Sequence, residues 1–164
     1  MALFRPLSVL ALIALAGCAT MPEAPAGPNV YVMRHLQKAP GPDPALSEEG
    51  RANAQRLIAF FAGDPPRTIF VSRTRRARET AAPLAARLGV TPQEYDPGDV
   101  AGVAARAGAA AGTVLIVGHS NTVPEIVAAL GGTKPAAIGE ESYGQIWQVR
   151  GAPPVTTQKS LGGR

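Results

Sequence analysis

The hydrophobic positions of this chain follow two alternating patterns: short continuous apolar runs, and longer segments in which apolar residues recur at helical spacing. Continuous runs of this length are typical of strands buried on both faces of a sheet. They occupy 29–33, 68–71, 91–95, 113–117 and 145–149. Strands that alternate with helical segments in this way predict an α/β fold. We expect a three-layer sandwich whose central sheet is mostly parallel and carries helices on both faces.

Four helices are predicted between these strands, and capping residues mark where they begin. Ser47 and Asp99 are good N-caps, and Asn121 or Thr122 begins the fourth helix. The second helix, over 74–88, contains Pro83. An interior proline costs a helix about 3 kcal/mol, so we expect a kink or two helical pieces there.

The two ends of the chain lack these patterns. Residues 1–17 have a basic start and an apolar run that is too short to span a bilayer, which is the layout of a secretory signal peptide. Residues 18–28 are rich in Ala and Pro and predict an extended tether, and residues 151–164 predict a flexible tail. The predicted folded domain is therefore 29–150.

The residues before and at Cys18 read Leu-Ala-Gly-Cys, which resembles a bacterial lipobox. That resemblance implies cleavage before Cys18 and lipidation of it. We therefore expect a lipoprotein that is anchored outside the cytoplasm, on the cell membrane or on the periplasmic side of the outer membrane. The membrane would then be one partner, through the lipid on Cys18.

Composition narrows the chemistry. The 164 residues suit one domain, and a single cysteine excludes an intrachain disulfide and a cysteine-based metal site. The net charge is +4, and a cluster of four arginines lies within 73–78. Such a cluster can attract phosphate, nucleic acid or an anionic membrane. Aromatic residues are only 5% of the chain, which disfavours a nucleic-acid surface built on base stacking.

The chain has two histidines, and each directly follows a predicted buried strand. Arg34 and His35 follow the first strand, and His119 follows the fourth. Ser72 ends the second strand, and Arg76 comes soon after it. Ligands of parallel sheets bind beyond the carboxyl ends of the strands, so these side chains are expected to meet at one edge.

This combination of residues suits phosphoryl transfer. Guanidinium groups match phosphate oxygens with a planar fork of donors, and a neutral imidazole can attack phosphorus. Adjacent arginines should lower the pKa of the nucleophilic histidine by charge repulsion and so keep it neutral. The sequence lacks the dense carboxylate cluster of a two-metal phosphatase, so we expect no metal and no cofactor.

Three motifs carry a resemblance to the histidine phosphatase superfamily, also called phosphoglycerate mutase-like. They are Val-Met-Arg-His at 32–35 with the segment 43–51, Ser-Arg-Thr-Arg-Arg-Ala-Arg-Glu-Thr-Ala at 72–81, and Val-Gly-His-Ser-Asn-Thr-Val-Pro at 117–124. The resemblance implies that His35 becomes phosphorylated and that Arg34, Arg76 and His119 complete the phosphate pocket. Ser72, Lys38 and Asn121 are candidate substrate contacts.

The chain departs from the family pattern at several positions. Leu36 stands where many members have glycine, and Arg73 and Thr74 replace a common Pro-Leu pair. No acid stands directly after His119, where some members have the proton donor. Acids that could donate the proton lie instead at four other positions, of which we favour Asp96: Glu94, Asp96, Asp99 and Glu125.

The predicted activity is metal-independent hydrolysis of phosphomonoesters through a phosphohistidine on His35. Little chain is spare for a lid, and a mutase must exclude water from its intermediate, so hydrolysis is favoured over mutase chemistry. The substrate would be a phosphorylated small molecule or a phosphoprotein. Two alternatives stay open, a mutase and a non-catalytic lipoprotein of the same fold that binds phosphate or another anion.

Overall fold

The computed structural model describes residue 27 and residues 29–162 of the chain. The predicted signal peptide, Cys18 and nearly all of the predicted tether lie outside the described residues. Ten elements follow one another along the described part: β1 (Asn29–Arg34), α1 (Glu48–Phe60), β2 (Thr68–Ser72), α2 (Arg75–Leu88), β3 (Gln93–Tyr95), α3 (Val100–Ala109), β4 (Thr113–Gly118), α4 (Val123–Ala129), β5 (Gln145–Arg150) and β6 (Val155–Ser160).

The strands form one six-stranded sheet in the order β3-β2-β4-β1-β5-β6. The first four strands of this order are parallel, whereas β5 runs antiparallel to β1 and β6 runs antiparallel to β5. The mostly parallel sheet predicted from the sequence is therefore confirmed. The antiparallel direction of β5 has a consequence for the site, because the segment that precedes β5 comes to the carboxyl end of β1.

The core has two layers, one on each face of the sheet. Alternate residues of β1 point to opposite faces, so Tyr31 and Met33 pack with α1 and α2 while Val30 and Val32 pack with α3 and α4. All six residues of β4 are buried, as expected for a central strand with helices on both sides. This arrangement confirms the three-layer sandwich.

Local capping explains where the helices begin. The side chain of Ser47 accepts a hydrogen bond from the Gly50 backbone N–H at the start of α1. Asp99 does the same for the Gly102 backbone N–H at the start of α3. These contacts satisfy backbone donors that have no partner within the first turn of a helix.

Gly50, inside the first family-like motif, has a packing role. A side chain there would meet the backbone oxygen of Gln37 at 2.1 Å, so only glycine lets α1 lie against the loop after β1. The motif thus fixes the loop that follows His35.

The structure corrects two predictions. α2 is one continuous helix through Pro83 and is not split into two pieces. Its residues Ala77, Ala81 and Leu84 are buried in the core, and this packing offsets the hydrogen bond that a proline cannot donate. The predicted flexible tail is wrong for residues 155–160, which form β6 and pair with β5 along its whole length.

In the part of the chain that the structure describes, no helix combines the length and the apolar character needed to cross a bilayer.

Candidate active site

His35 lies directly beyond the end of β1 and is 3% exposed. Its backbone N–H donates to the Gly118 carbonyl at 2.9 Å, which ties it to the end of β4. Its ring Nδ1 lies 2.8 Å from the Leu36 carbonyl oxygen. A carbonyl oxygen can only accept, so Nδ1 carries the proton and Nε2 keeps a free lone pair. His35 is thereby held in the tautomer that suits a nucleophile at Nε2.

His119 occupies the equivalent position after β4. Its Nε2 lies 2.8 Å from the Ser72 hydroxyl, and an Arg76 Nη atom donates to its Nδ1 at 3.4 Å. Because Arg76 can only donate, Nδ1 is the unprotonated nitrogen, and Nε2–H donates to Ser72. The Thr122 hydroxyl accepts from the backbone N–H of His119 and fixes the turn into α4.

The two imidazoles face each other. Their ring centroids are 5.3 Å apart, with an interplanar angle of 64°. Parallel strands β1 and β4 are neighbours in register, with Arg34 paired to Gly118, and this register brings the two following histidines together. The sequence prediction that both histidines meet at one sheet edge agrees with this geometry.

Both histidines are neutral at ordinary pH. Burial lowers the pKa of His35 from 6.5 to about 3, and the charges of Arg76 and Arg34 and the nearby His119 lower it further, against an opposing contribution from the Leu36 hydrogen bond. Burial, followed by the same two arginines, lowers the pKa of His119 to about 4. Charge repulsion was the cause expected from the sequence; burial is the larger cause in the structure.

Arg34 is 3% exposed, and the segment before β5 surrounds its guanidinium group. One Nη donates to the backbone oxygens of Gly139 and Glu140 at 2.8 Å each and of Ser142 at 3.2 Å. The guanidinium carbon lies 4.2 Å from the centre of the Tyr143 ring. Arg34 is therefore both part of the site and the anchor of residues 139–143.

Arg76 stands in the first turn of α2, next to His119. Its other Nη lies 3.8 Å from an Asp43 carboxylate oxygen. Within residues 29–162, the Nε atoms of Arg34 and Arg76 are the buried side-chain nitrogens or oxygens without a hydrogen-bond partner. An unpaired buried donor costs about 1–3 kcal/mol, and more on a charged group, so these two positions favour binding of an anion.

The predicted residues gather at one cleft with a volume of about 510 Å³. Six of them line it: Arg34, His35, Lys38, Arg76, His119 and Asn121. Ser72 acts from behind, through its hydrogen bond to His119. Leu36 is fully buried in the core layer of α1 and α2, so its side chain does not fill the cleft despite replacing the usual glycine.

Asp96, the favoured proton donor, lies to one side. Its carboxylate accepts from Arg73 at 3.1 Å and from the Gly98 backbone N–H at 2.9 Å. Pro97 and Gly98 line the cleft, but Asp96 is not among its lining residues in the described part of the chain. The other acids that the sequence left open are paired elsewhere: Glu94 with Arg78, Asp99 with the start of α3, and Glu125 with Lys134.

Sequence reasoning missed Glu140 and Tyr143. Glu140 lines the cleft, and the Tyr143 ring centre lies 6.1 Å from that of His35. The available signal was the irregular stretch before the last predicted strand. Its placement depends on β5 being antiparallel to β1, which the apolar pattern of that strand does not reveal.

No group of three or more His, Cys, Asp or Glu residues is placed to hold a metal ion within the described residues. The polar groups that converge on the cleft are cationic or neutral, apart from Glu140. Such a set suits an oxyanion ligand better than a metal ion.

Comparison with known proteins gives one family match. The sequence model of the histidine phosphatase superfamily (branch 1) matches residues 30–98, which include β1, His35 and Arg76. His119 lies beyond the matched residues. No curated protein sequence matches the chain.

Solved structures resemble the chain over most of its length. A protein histidine phosphatase SixA complexed with tungstate is 24% identical, with a TM-score of 0.62, over 81% of this chain and 97% of that one. A mycobacterial hydrolase 2 is 17% identical, with a TM-score of 0.63, over 85% of this chain and 94% of its own. A mycobacterial glucosyl-3-phosphoglycerate phosphatase is 18% identical, with a TM-score of 0.59, over 82% and 98%, respectively.

Proposed function

We propose that this chain, which has the fold of the histidine phosphatase superfamily and matches the model of its branch 1 over residues 30–98, is a phosphomonoester hydrolase that works through a phosphohistidine on His35. The observation that carries the proposal is the orientation of His35. Its Nδ1–H is held by the Leu36 carbonyl, and its free Nε2 belongs to a ring that faces His119 and two arginines.

In the first step, Nε2 of His35 attacks the phosphorus of the bound ester. The N–P bond forms as the P–O bond to the leaving alcohol breaks, and the alcohol oxygen takes up a proton. The Leu36 carbonyl stabilises the positive charge that develops on the imidazole, because it accepts from Nδ1. The low pKa of His35 means that the nucleophile does not have to lose a proton first.

Arg34, Arg76 and His119 would stabilise the transferring group. The two arginines place fixed positive charge at the cleft and each has an unpaired Nε–H. His119 presents Nδ1 next to Arg76; when that nitrogen takes up a proton, it becomes a donor to a phosphate oxygen. Ser72 accepts from the opposite nitrogen and keeps the ring in this orientation.

In the second step, water attacks the phosphoryl group on His35. The N–P bond breaks, inorganic phosphate leaves, and His35 returns to its neutral form. Exposed Lys38, Asn121 and Glu140 rim the cleft, so water can reach the intermediate. An accessible intermediate favours hydrolysis over return of the phosphoryl group to a sugar acid.

A substrate panel tests this proposal. The names of the structural neighbours include a protein histidine phosphatase and a glucosyl-3-phosphoglycerate phosphatase, so the panel should hold an aryl phosphate, phosphorylated sugar acids and a phosphohistidine peptide. We expect hydrolysis of at least one ester by the wild type in the presence of EDTA and none by His35→Ala. Equal release of phosphate by the two proteins would contradict the proposal.

We also propose that the enzyme is a lipoprotein outside the cytoplasm, on the evidence of residues 1–18 alone. Labelled palmitate should enter the wild-type chain in bacteria, and the protein should sediment with membranes. Cys18→Ser should lose both properties. Membrane association that survives in Cys18→Ser without incorporated label would count against a lipid anchor.

A further inference from the structure

The proposed reaction needs a proton at the leaving oxygen and a base for the attacking water, and neither histidine supplies them. His35 is the nucleophile, and His119 already donates to Ser72 through Nε2–H. One side chain with a carboxyl group lines the same cleft as the two histidines in the part of the chain described by the structure, and it belongs to Glu140.

Glu140 is held in place by the residue that precedes the nucleophile. Arg34 donates at 2.8 Å to the backbone oxygen of Glu140 itself, and also to the oxygens of its neighbours Gly139 and Ser142. The Glu140 carboxylate lies 3.6 Å from the second Nη of Arg34. The backbone of Glu140 is therefore fixed relative to His35, while its side chain, 81% exposed, is free to turn within the mouth of the cleft.

The other acids near the site are engaged away from the cleft. Asp96 pairs with exposed Arg73 and accepts from Gly98, and Asp43 accepts from the Arg75 backbone N–H at the start of α2. Neither lines the cleft within residues 29–162. Glu140 is the acid whose position is defined by a group of the site.

We propose that Glu140 is the acid-base residue of this site, an assignment that rests on the proposed phosphohistidine mechanism. In the first step its carboxyl proton passes to the leaving alkoxide oxygen as the P–O bond breaks. In the second step the resulting carboxylate takes a proton from the water that attacks phosphorus, which regenerates the carboxylic acid. The proton count balances over one turnover, and no further reactant is needed. The substrate class that depends on this residue is alkyl phosphates, because an alkoxide is a poor leaving group without a proton.

The test compares the first-turnover rates of two esters, p-nitrophenyl phosphate and glycerol 2-phosphate, by rapid quench with excess enzyme. Glu140→Gln keeps the shape of the side chain but cannot transfer a proton. We expect its rate on the alkyl ester to fall about 10²-fold or more, and its rate on the aryl ester to change by less than about threefold. The variant should also release a burst of nitrophenol and accumulate phosphorylated His35, because hydrolysis of the intermediate loses its base.

Glu141→Gln is the matched control. It makes the same charge change at the next residue, which is exposed and is not among the residues that line the cleft of the histidines in the described chain. We expect both of its rates to match the wild type. Glu140→Asp should recover part of the alkyl rate, and inhibition by inorganic phosphate should stay within about threefold in all variants if Arg34 keeps its place.

Equal losses on both esters, or no loss on the alkyl ester, would overturn the assignment while leaving the phosphatase intact. A loss selective for the alkyl ester in Asp96→Asn, and not in Glu140→Gln, would transfer the role to Asp96. Wild-type rates no higher than those of His35→Ala would instead refute the proposed function itself, and with it the role of Glu140.

Discussion

The two edges of the central sheet both bury polar side chains, but they treat them in opposite ways. At the edge where β1 and β4 begin, the Asp64 carboxylate accepts from three side chains: Asn29 and Tyr31 at 2.9 Å each, and Thr113. Gln148 extends this network by donating to Asn29 at 2.8 Å. At the edge where these strands end, Arg34 and Arg76 each keep an unpaired buried Nε–H.

The pKa shifts show the same contrast. Burial opposes the charged form of Asp64, but hydrogen bonds from Thr113, Asn29 and Tyr31 outweigh it and hold the pKa below its usual range. At the other edge no such compensation protects the charged form of His35 or His119, and burial holds both rings neutral. A satisfied buried charge is typical of structural support, whereas unpaired cations beside neutral imidazoles are typical of a site that awaits an anion.

The largest effect that would sharpen this contrast is expected from Arg76→Met. The change removes a charge that faces the cleft but keeps much of the side-chain volume. We expect kcat/KM to fall about 10²- to 10³-fold, because a donor to the transferring group is lost. The free energy of unfolding, measured by urea titration, should change by less than about 1 kcal/mol, because the unpaired Nε–H contributes no hydrogen bond to the folded state. A large loss of stability with normal kinetics would reverse the roles assigned to the two edges.

Asp64→Ala should show the opposite pattern. It leaves the donors of Asn29, Tyr31 and Thr113 without their acceptor, and we expect a loss of about 2–3 kcal/mol in the free energy of unfolding. The folded fraction should retain wild-type kcat and KM, since Asp64 lies at the far edge of the sheet. Urea titration and steady-state kinetics on one preparation check both halves. A reduced kcat without loss of stability would count against a purely structural network.

Ser72→Ala should have a smaller effect, confined to orientation of His119. The Ser72 hydroxyl accepts from Nε2–H, and without it both ring tautomers of His119 become accessible. We expect kcat to fall about 10-fold, within the usual range for loss of a residue that orients a catalytic group. NMR of the His119 ring nitrogens should show the Nε2–H tautomer in the wild type and a mixture in Ser72→Ala. An unchanged tautomer together with a reduced kcat would assign Ser72 to direct contact with substrate.

The smallest expected effect is on the pH dependence of stability. Below pH 6.5 the histidines of the unfolded chain take up protons, whereas folded His35 and His119 remain neutral down to about 3 and 4. The unfolded state then binds more protons, so stability is fully present above pH 6.5 and falls as the pH decreases through that value toward 4. Between pH 7.5 and 5, the Tm of a His35→Asn/His119→Asn variant should decline a few degrees less than that of the wild type. Parallel Tm curves would show that the two rings are not buried as neutral groups.

Much of the fold could be predicted because the parallel part of the sheet leaves a strong pattern. β1 and β4 are buried on both faces and therefore read as continuous apolar runs, and Ser47 and Asp99 cap their helices as expected. β6 could not be found in the same way. Its sequence is Val-Thr-Thr-Gln-Lys-Ser at the edge of the sheet, where exposed residues need no apolar period.

The site divides along the same line. His35, His119 and Ser72 follow parallel strands directly, so chain order alone predicts the edge at which they meet. Glu140 and Tyr143 arrive through the antiparallel strand β5 and are held by backbone carbonyl contacts to Arg34. Backbone acceptors are identical in every residue type, and such contacts therefore leave no trace in the sequence.

The central claim is that His35 carries the phosphoryl group during turnover, and direct capture of that species tests it best. The wild type should be mixed with a phosphorus-32-labelled substrate, quenched in alkali within the first turnover, and mapped by peptide mass spectrometry. The account predicts label on His35, stable to base and released by acid, and no label in His35→Ala. Hydrolysis of substrate by the wild type with no label on His35 at any time within the first turnover would contradict it.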